Sequence, residues 1–273
     1  MNARLPDVNH GAAAPPGWEI AVAQITGVRH RISEDSADYR VLDATPQCGG
    51  AICLALADGV GGGARGDIAG QALVRHCLAL PRPLLGQADA MAAWLKLAEA
   101  EVQRALRAVT FSPGAATLAA AWLASNGIGH WLRVGDARLY RVAADGAAAA
   151  LSHDQTYDYL RETPPAGAQG GDPARMVGTG CMGEPQLETV SLGRGDTLLL
   201  CSDGLHRGLG AAEMAGLLAM HASLEDAGIA LVLAARAAGS EDDISVLLAR
   251  RCRQSLERRR FLTRLRRRIA VPA

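Results

Sequence analysis

The sequence predicts an α+β fold: a central antiparallel β-sandwich flanked by helix pairs. Three observations carry this. Short apolar runs of strand length recur along the chain. Turn signals at Asn126-Gly127 and Ala144-Asp145-Gly146 join successive runs as hairpins. Helical periodicity falls into two groups, each beside a block of strands, which suggests two packed sheets with helices outside.

Trp18 to Thr26 reads as the first strand and Ala51 to Ala57 as the second. Asp67 to Leu80 reads as a helix. A second helix is expected from Ala88 to Val109, because Met91, Trp94, Leu95, Ala98, Val102, Leu106 and Val109 recur at three- and four-residue steps. Such a stripe is a core-packing face. Strands follow at 116–124, 128–134 and 137–142. Residues 161–180 are rich in Gly, Pro and Thr without periodicity, and are expected to form a mobile flap rather than an interdomain linker. Thr197 to Ser202 is a buried strand, 211–221 and 224–238 are helices, and Ile244 to Arg250 is the last strand.

The ends differ from this body. Residues 1–17 are polar and Ala/Pro-rich, lack the apolar core of a signal peptide, and are expected to be disordered. Residues 251–273 form a basic tail, with many arginines interleaved with Leu256, Phe261, Leu262, Leu265 and Ile269. As a basic amphipathic helix it could touch an anionic membrane or a partner; as a solvated helix it could pack on its own domain. The compact domain is therefore expected over 18–250.

The chain has 273 residues, 49% of them hydrophobic, enough for one large core. Its formal net charge is zero, so whole-protein electrostatics gives no reason to expect nucleic acid as partner. The six cysteines form no C-x-x-C pair, which favours a thiol-bearing cytoplasmic protein over a disulfide scaffold or zinc site. The long uncharged stretch from Ala108 to Leu132 is interrupted by Pro113, Gly114, Asn126 and Gly127, and reads as two strands rather than a membrane span.

Four aspartates stand out. Asp58 follows Ile52-Cys53-Leu54-Ala55-Leu56-Ala57, Asp136 follows Trp131 to Gly135, Asp203 follows Leu198 to Ser202, and Asp242 precedes Ile244, Val246 and Leu248. A carboxylate at the end of a buried strand is costly unless a cation or donor meets it. Glycine after Asp58 and after Asp203 lets a backbone carbonyl approach the same ion. Carboxylates, a carbonyl and water are the donors of Mg²⁺ or Mn²⁺, not of zinc or copper.

The order and wording of these motifs resemble the metal-dependent serine/threonine protein phosphatases of type 2C (PPM), bacterial branch. The resemblance runs from Gly27 to Arg250. It is carried by Ser33-Glu34-Asp35-Ser36, Ala57-Asp58-Gly59-Val60-Gly61-Gly62, Ala116-Thr117-Leu118, Val134-Gly135-Asp136-Ala137-Arg138, Leu151-Ser152-His153-Asp154, Leu200-Cys201-Ser202-Asp203-Gly204-Leu205 and Asp242-Asp243-Ile244-Ser245-Val246. It implies the type 2C fold, with two to three Mn²⁺ or Mg²⁺ ions as cofactors. Asp58 would bridge two metals, the Gly59 carbonyl would bind one of them, Asp203 and Asp242 would hold the first, and Asp136 would help hold a third. Glu34 and Asp35 would stand beside the site, Glu34 orienting the attacking water. Two cations would make hydroxide available near neutral pH for in-line attack on phosphorus, with no protein nucleophile.

Several positions depart from the family pattern. His30, flanked by Arg29 and Arg31, takes the place of a phosphate-binding arginine, and imidazole does not reproduce a bidentate contact. Arg31 or Arg29 is expected to substitute. Ser33 and Asp243 replace asparagines, and Asp243 would either strengthen cation binding or face solvent. Ala115-Ala116-Thr117 replaces Gly-Thr-Thr, and Val60 stands where some members carry a histidine acid.

The resulting expectation is a cytoplasmic, monomeric phosphatase for phosphoserine and phosphothreonine proteins. It would oppose a bacterial Ser/Thr kinase, with type VI secretion signalling as a context. A phosphatase devoted to one regulator, such as an anti-sigma antagonist, and a non-catalytic phosphoprotein-binding module are the alternatives.

Overall fold

The computed structural model describes residues 7–9, 17–44, 49–60 and 65–252. In chain order the strands are β1 (Asp7–Asn9), β2 (Trp18–Ile25), β3 (Ser36–Leu42), β4 (Ala51–Ala57), β5 (Gly59–Val60), β6 (Ala115–Ala116), β7 (Leu118–Ala124), β8 (Ile128–Val134), β9 (Arg138–Val142), β10 (Ala148–Ala150), β11 (Gln186–Ser191), β12 (Thr197–Cys201) and β13 (Ile244–Arg251). The helices are α1 (Gly66–Leu78), α2 (Ala88–Lys96), α3 (Ala98–Arg107), α4 (Tyr157–Leu160), α5 (Asp203–His206), α6 (Ala211–Met220) and α7 (Leu224–Ala237).

One large sheet has the order β1-β2-β13-β12-β9-β10, the other β11-β8-β7-β4-β3, and β5 pairs with β6 in a two-stranded ribbon, with antiparallel neighbours throughout. Period-2 geometry explains the continuous apolar runs. On β4, Ile52, Leu54 and Leu56 face the layer between the sheets. Cys53, Ala55 and Ala57 face α1, α2 and α3. On β12, Leu198 and Leu200 enter the same central layer, while Leu199 and Cys201 pack toward α6 and α7. Strands buried on both faces lose the alternation that a half-exposed strand shows. The architecture is thus helix, sheet, sheet, helix, as the sequence predicts.

Three differences have physical causes. The helix expected over Ala88 to Val109 is interrupted at Leu97. His76 Nε2 hydrogen-bonds the Trp94 carbonyl at 2.9 Å, and Leu97 N–H closes a three-residue turn on that same carbonyl. The strand expected at 116–124 splits at Thr117, whose N–H donates to the Asp58 carbonyl at 2.8 Å. Residues 7–9, within the segment expected to be disordered, pair with Val22 to Gln24, because ladder bonds require backbone and not apolar side chains.

Residues 161–180 are irregular as expected, but they are tied down. Arg175 pairs with Glu162, and Gly178 N–H donates to Glu99 at 2.9 Å. The Asn126-Gly127 turn is present, with Gly127 at φ +85°. Arg251, assigned to the basic tail, pairs with Trp18 at the end of β13, and the tail from 253 lies outside the described residues. No described helix is long and apolar enough to cross a membrane.

Register gathers the motif loops at one end of the sandwich. The end of β4 lies beside the start of β3, with Ala57 opposite Ser36. The end of β12 lies between the starts of β13 and β9, with Cys201 opposite Val246 and Arg138. The start of β13 lies beside the end of β2, with Ile244 opposite Ile25. Antiparallel order therefore brings the 26–35 loop, Asp58, Asp136, Asp203 and Asp242 together.

Candidate active site

Asp58 leaves β4 at the floor of a cleft of about 440 Å³, whose lining includes Glu34, Gly59, Thr117, Asp136, Asp203 and Asp242. Asp203 opens α5, directly after β12. Asp136 sits in the tight turn from β8 to β9 and is only 2% exposed. Gly135 before it has φ +93°, a conformation that favours glycine. Gly59 is required for a different reason. A Cβ there would lie 2.5 Å from the Gly66 backbone and 2.6 Å from the Glu34 carbonyl. Glycine lets the 59–60 strand and the start of α1 close over Glu34.

The electrostatics of the cleft are those of crowded acids. Burial, then repulsion by Asp203, Asp35, Asp136 and Asp242, holds the Asp58 carboxyl well above its usual range. Burial also raises Asp203, against the pull of Arg207. Asp136 is pushed up to about 7 by burial and by Asp203. Asp35, 8% exposed, is pushed up to about 8, again chiefly by burial. Its Oδ2 and the Thr117 Oγ1 have no hydrogen-bond partner among the described residues. Four buried acids that resist ionisation together, with a buried unpaired oxygen, crowd more negative charge than the neighbouring Arg207 offsets. The donor set is oxygen throughout, so it fits Mg²⁺ or Mn²⁺.

Asp243 does not face solvent. It is 3% exposed, and its two oxygens organise the loop after β2. Oδ1 accepts from Gly27 N–H at 2.6 Å, and Oδ2 accepts from Glu34 N–H at 2.8 Å and meets His30 Nδ1 at 2.8 Å. The hydrogen bond to Asp243 raises the His30 pKa, against desolvation. His30, Asp242 and Asp243 bring possible ligand atoms within 4.8 Å of one another. Those of His30 and Asp243 are already engaged with each other.

Of the residues expected to hold phosphate, His30 lines the cleft, while Arg29 and Arg31 do not. Arg29 pairs with Glu241 and borders a neighbouring cavity, and Arg31 is exposed. Sequence reading passed over Arg207. It follows Asp203 by four residues, the spacing that places side chains on one helical face and could have flagged it. His206 also has a defined place. Its Nε2 donates to the Asp136 carbonyl at 2.9 Å, and burial lowers its pKa to about 4. It positions Asp136 as a neutral ring. His153 is exposed and stacks on Tyr159.

A protein phosphatase 2C family model matches residues 26–243. The chain belongs to this family, the class of metal-dependent serine/threonine protein phosphatases that use Mn²⁺ or Mg²⁺. Among solved structures it is similar to the serine/threonine phosphatase PstP of Mycobacterium tuberculosis, with 25% identity, TM-score 0.70, and coverage of 86% of this chain and 99% of that one. PppA, described as a key regulatory component of the type VI secretion system in Pseudomonas aeruginosa, is 26% identical with TM-score 0.64, covering 85% of this chain and 97% of its own. The catalytic domain of PstP in complex with two manganese ions shares the fold at 24% identity and TM-score 0.67, covering 86% of this chain and 99% of that one. Comparison with curated protein sequences gives no match.

Proposed function

We propose that this chain hydrolyses phosphoserine and phosphothreonine in proteins, reversing a Ser/Thr kinase, with water as nucleophile. The observation that supports this best is the convergence of Asp35, Asp58, Asp136, Asp203 and Asp242 from separate loops, each of the first four raised by burial among like charges. Asp58, the Gly59 carbonyl, Asp203 and Asp242 would hold two divalent cations, with Asp136 as an accessory ligand. Bound there, the cations supply the charge that makes water nucleophilic near neutral pH and neutralises phosphoryl oxygens.

The chain's own groups do the rest. Glu34, fixed through its backbone N–H by Asp243, orients the attacking water. Asp35, buried with one unpaired oxygen, stands behind the site as a further carboxylate beside Asp58. His30 lines the cleft with its ring held toward Asp243, a contact that favours the protonated form. With Val60 at its position after Asp58-Gly59, no imidazole stands there to protonate the leaving alkoxide. The 26% identity to PppA supports type VI secretion signalling as one context for this activity.

The test is Mn²⁺-dependent turnover of phosphoserine and phosphothreonine peptides by the full chain. Asp58→Asn should abolish turnover and weaken Mn²⁺ binding in calorimetry while leaving the far-ultraviolet circular dichroism unchanged. Turnover that survives this substitution would overturn the reading.

A further inference from the structure

We propose that Arg207 is the residue that grips the substrate's phosphoryl group, a role that rests on the phosphatase reading above. Bound cations would offset the carboxylates that wall the cleft, and a phosphoryl dianion there still gains from a charged donor that orients its outer oxygens. Among the described residues lining that cleft, only His30 and Arg207 can be cationic, and Arg207 alone is a guanidinium. Guanidinium is charged at every physiological pH and presents donors in a fork that matches phosphate oxygens.

The placement of Arg207 is fixed by the metal-ligand motif itself. Asp203 opens α5 and Arg207 follows it by one helical turn, so one short helix carries a cation ligand and the arginine together. Nη1 lies 3.0 Å from Asp203 Oδ2, and Nη2 lies 3.6 Å from Asp136 Oδ2. These two carboxylates hold the guanidinium at the cleft without consuming its five donors. The side chain remains 52% exposed. Its third contact, from Nη2 to the Gly171 carbonyl at 3.4 Å, is long and is the one a phosphoryl oxygen replaces. That contact also ties the 161–180 segment to the site, so substrate entry would loosen it.

The two arginines beside His30 are poorly placed for this work. Arg29 is held by Glu241 and faces the adjoining cavity, and Arg31 lines neither. Arg207 borders both cavities, as His30 does.

The experiment compares wild type, Arg207→Ala, Arg207→Lys and Arg29→Ala/Arg31→Ala as full chains loaded with Mn²⁺. Inorganic phosphate binding is measured by calorimetry, Mn²⁺ stoichiometry by the same method, and kcat and KM with a phosphoserine peptide. Loss of a charge-assisted contact predicts a phosphate affinity about ten- to a hundredfold weaker in Arg207→Ala, with KM rising more than kcat falls. Arg207→Lys should lie between, because a point charge replaces a fork. The double variant at positions 29 and 31 should bind phosphate as wild type does. Mn²⁺ stoichiometry should be unchanged throughout. Phosphate bound equally by wild type and Arg207→Ala overturns the assignment, and so does loss of Mn²⁺ from Arg207→Ala, which would make the arginine a support of the metal site. Neither result touches the phosphatase reading, which stands or falls on wild-type turnover and its loss in Asp58→Asn.

Discussion

Removing Asp136's charge should stabilise the metal-free protein at alkaline pH. Asp136 is almost fully buried, and its carboxyl moves from the ordinary 3.8 to about 7 in the folded chain, Arg207 notwithstanding. Between these values the folded state holds a proton that the unfolded state has released. Stability therefore falls as pH rises through that window, and the full cost is present above pH 7. At about 1.4 kcal/mol per pH unit the cost is about 4 kcal/mol. An Asp136→Asn side chain cannot ionise and escapes it. In EDTA at pH 8, Asp136→Asn should melt about 10 °C above wild type, taking about 2–4 °C per kcal/mol for a domain of this size. The difference should shrink steadily toward pH 4. Differential scanning calorimetry across that pH range reads it directly. An Asp136→Asn protein that melts at or below the wild-type temperature at pH 8 would refute the picture of buried acids too crowded to ionise freely.

Two further outcomes follow from the loops after β2 and β4. Asp243→Ala removes the acceptors of Gly27 N–H, Glu34 N–H and His30 from a site that is 3% exposed, so a loss of about 3–5 kcal/mol is expected in urea unfolding, with turnover reduced because Glu34 loses its anchor. A change below about 1 kcal/mol would mean that the loop is held elsewhere. Gly59→Ala forces a Cβ to within 2.5 Å of the Gly66 backbone, which should cost about 1–3 kcal/mol and weaken Mn²⁺ binding by shifting the Gly59 carbonyl. Unaltered Mn²⁺ affinity in calorimetry would count against that carbonyl as a ligand.

The strands legible in the sequence and those missed divide by position in the sheets. Strands β2, β4, β7, β8, β9, β12 and β13 are interior, and each announces itself as an apolar run. The strands absent from the sequence reading are β1, β3, β10 and β11, the four edges of the two large sheets, and the two-residue β5. An edge strand has solvent on one side and little apolar patterning. Ser36–Leu42 and Gln186–Ser191 alternate weakly, and Ala148–Ala150 carries no β-branched residue. Leu97 was illegible for another reason: the interruption depends on His76, eighteen residues before Trp94 and on another helix.

The sequence by itself determined the layered α+β architecture and the acidic centre, because burial and strand-end carboxylates are written in local patterns. Local patterns named Asp58, Asp136, Asp203 and Asp242, and the family resemblance added Glu34 and Asp35. Tertiary structure alone decided what stands around them. Asp243 reads as one more acid beside Asp242, yet folding carries it against Gly27, His30 and Glu34, more than two hundred positions distant. Arg29 and Arg31 read as the natural partners of phosphate, yet Arg29 pairs with Glu241, Arg31 is exposed, and Arg207 is the arginine that lines the cleft among the described residues. Which charges face one another is a property of register and loop path, and those are fixed only when the sheets pack.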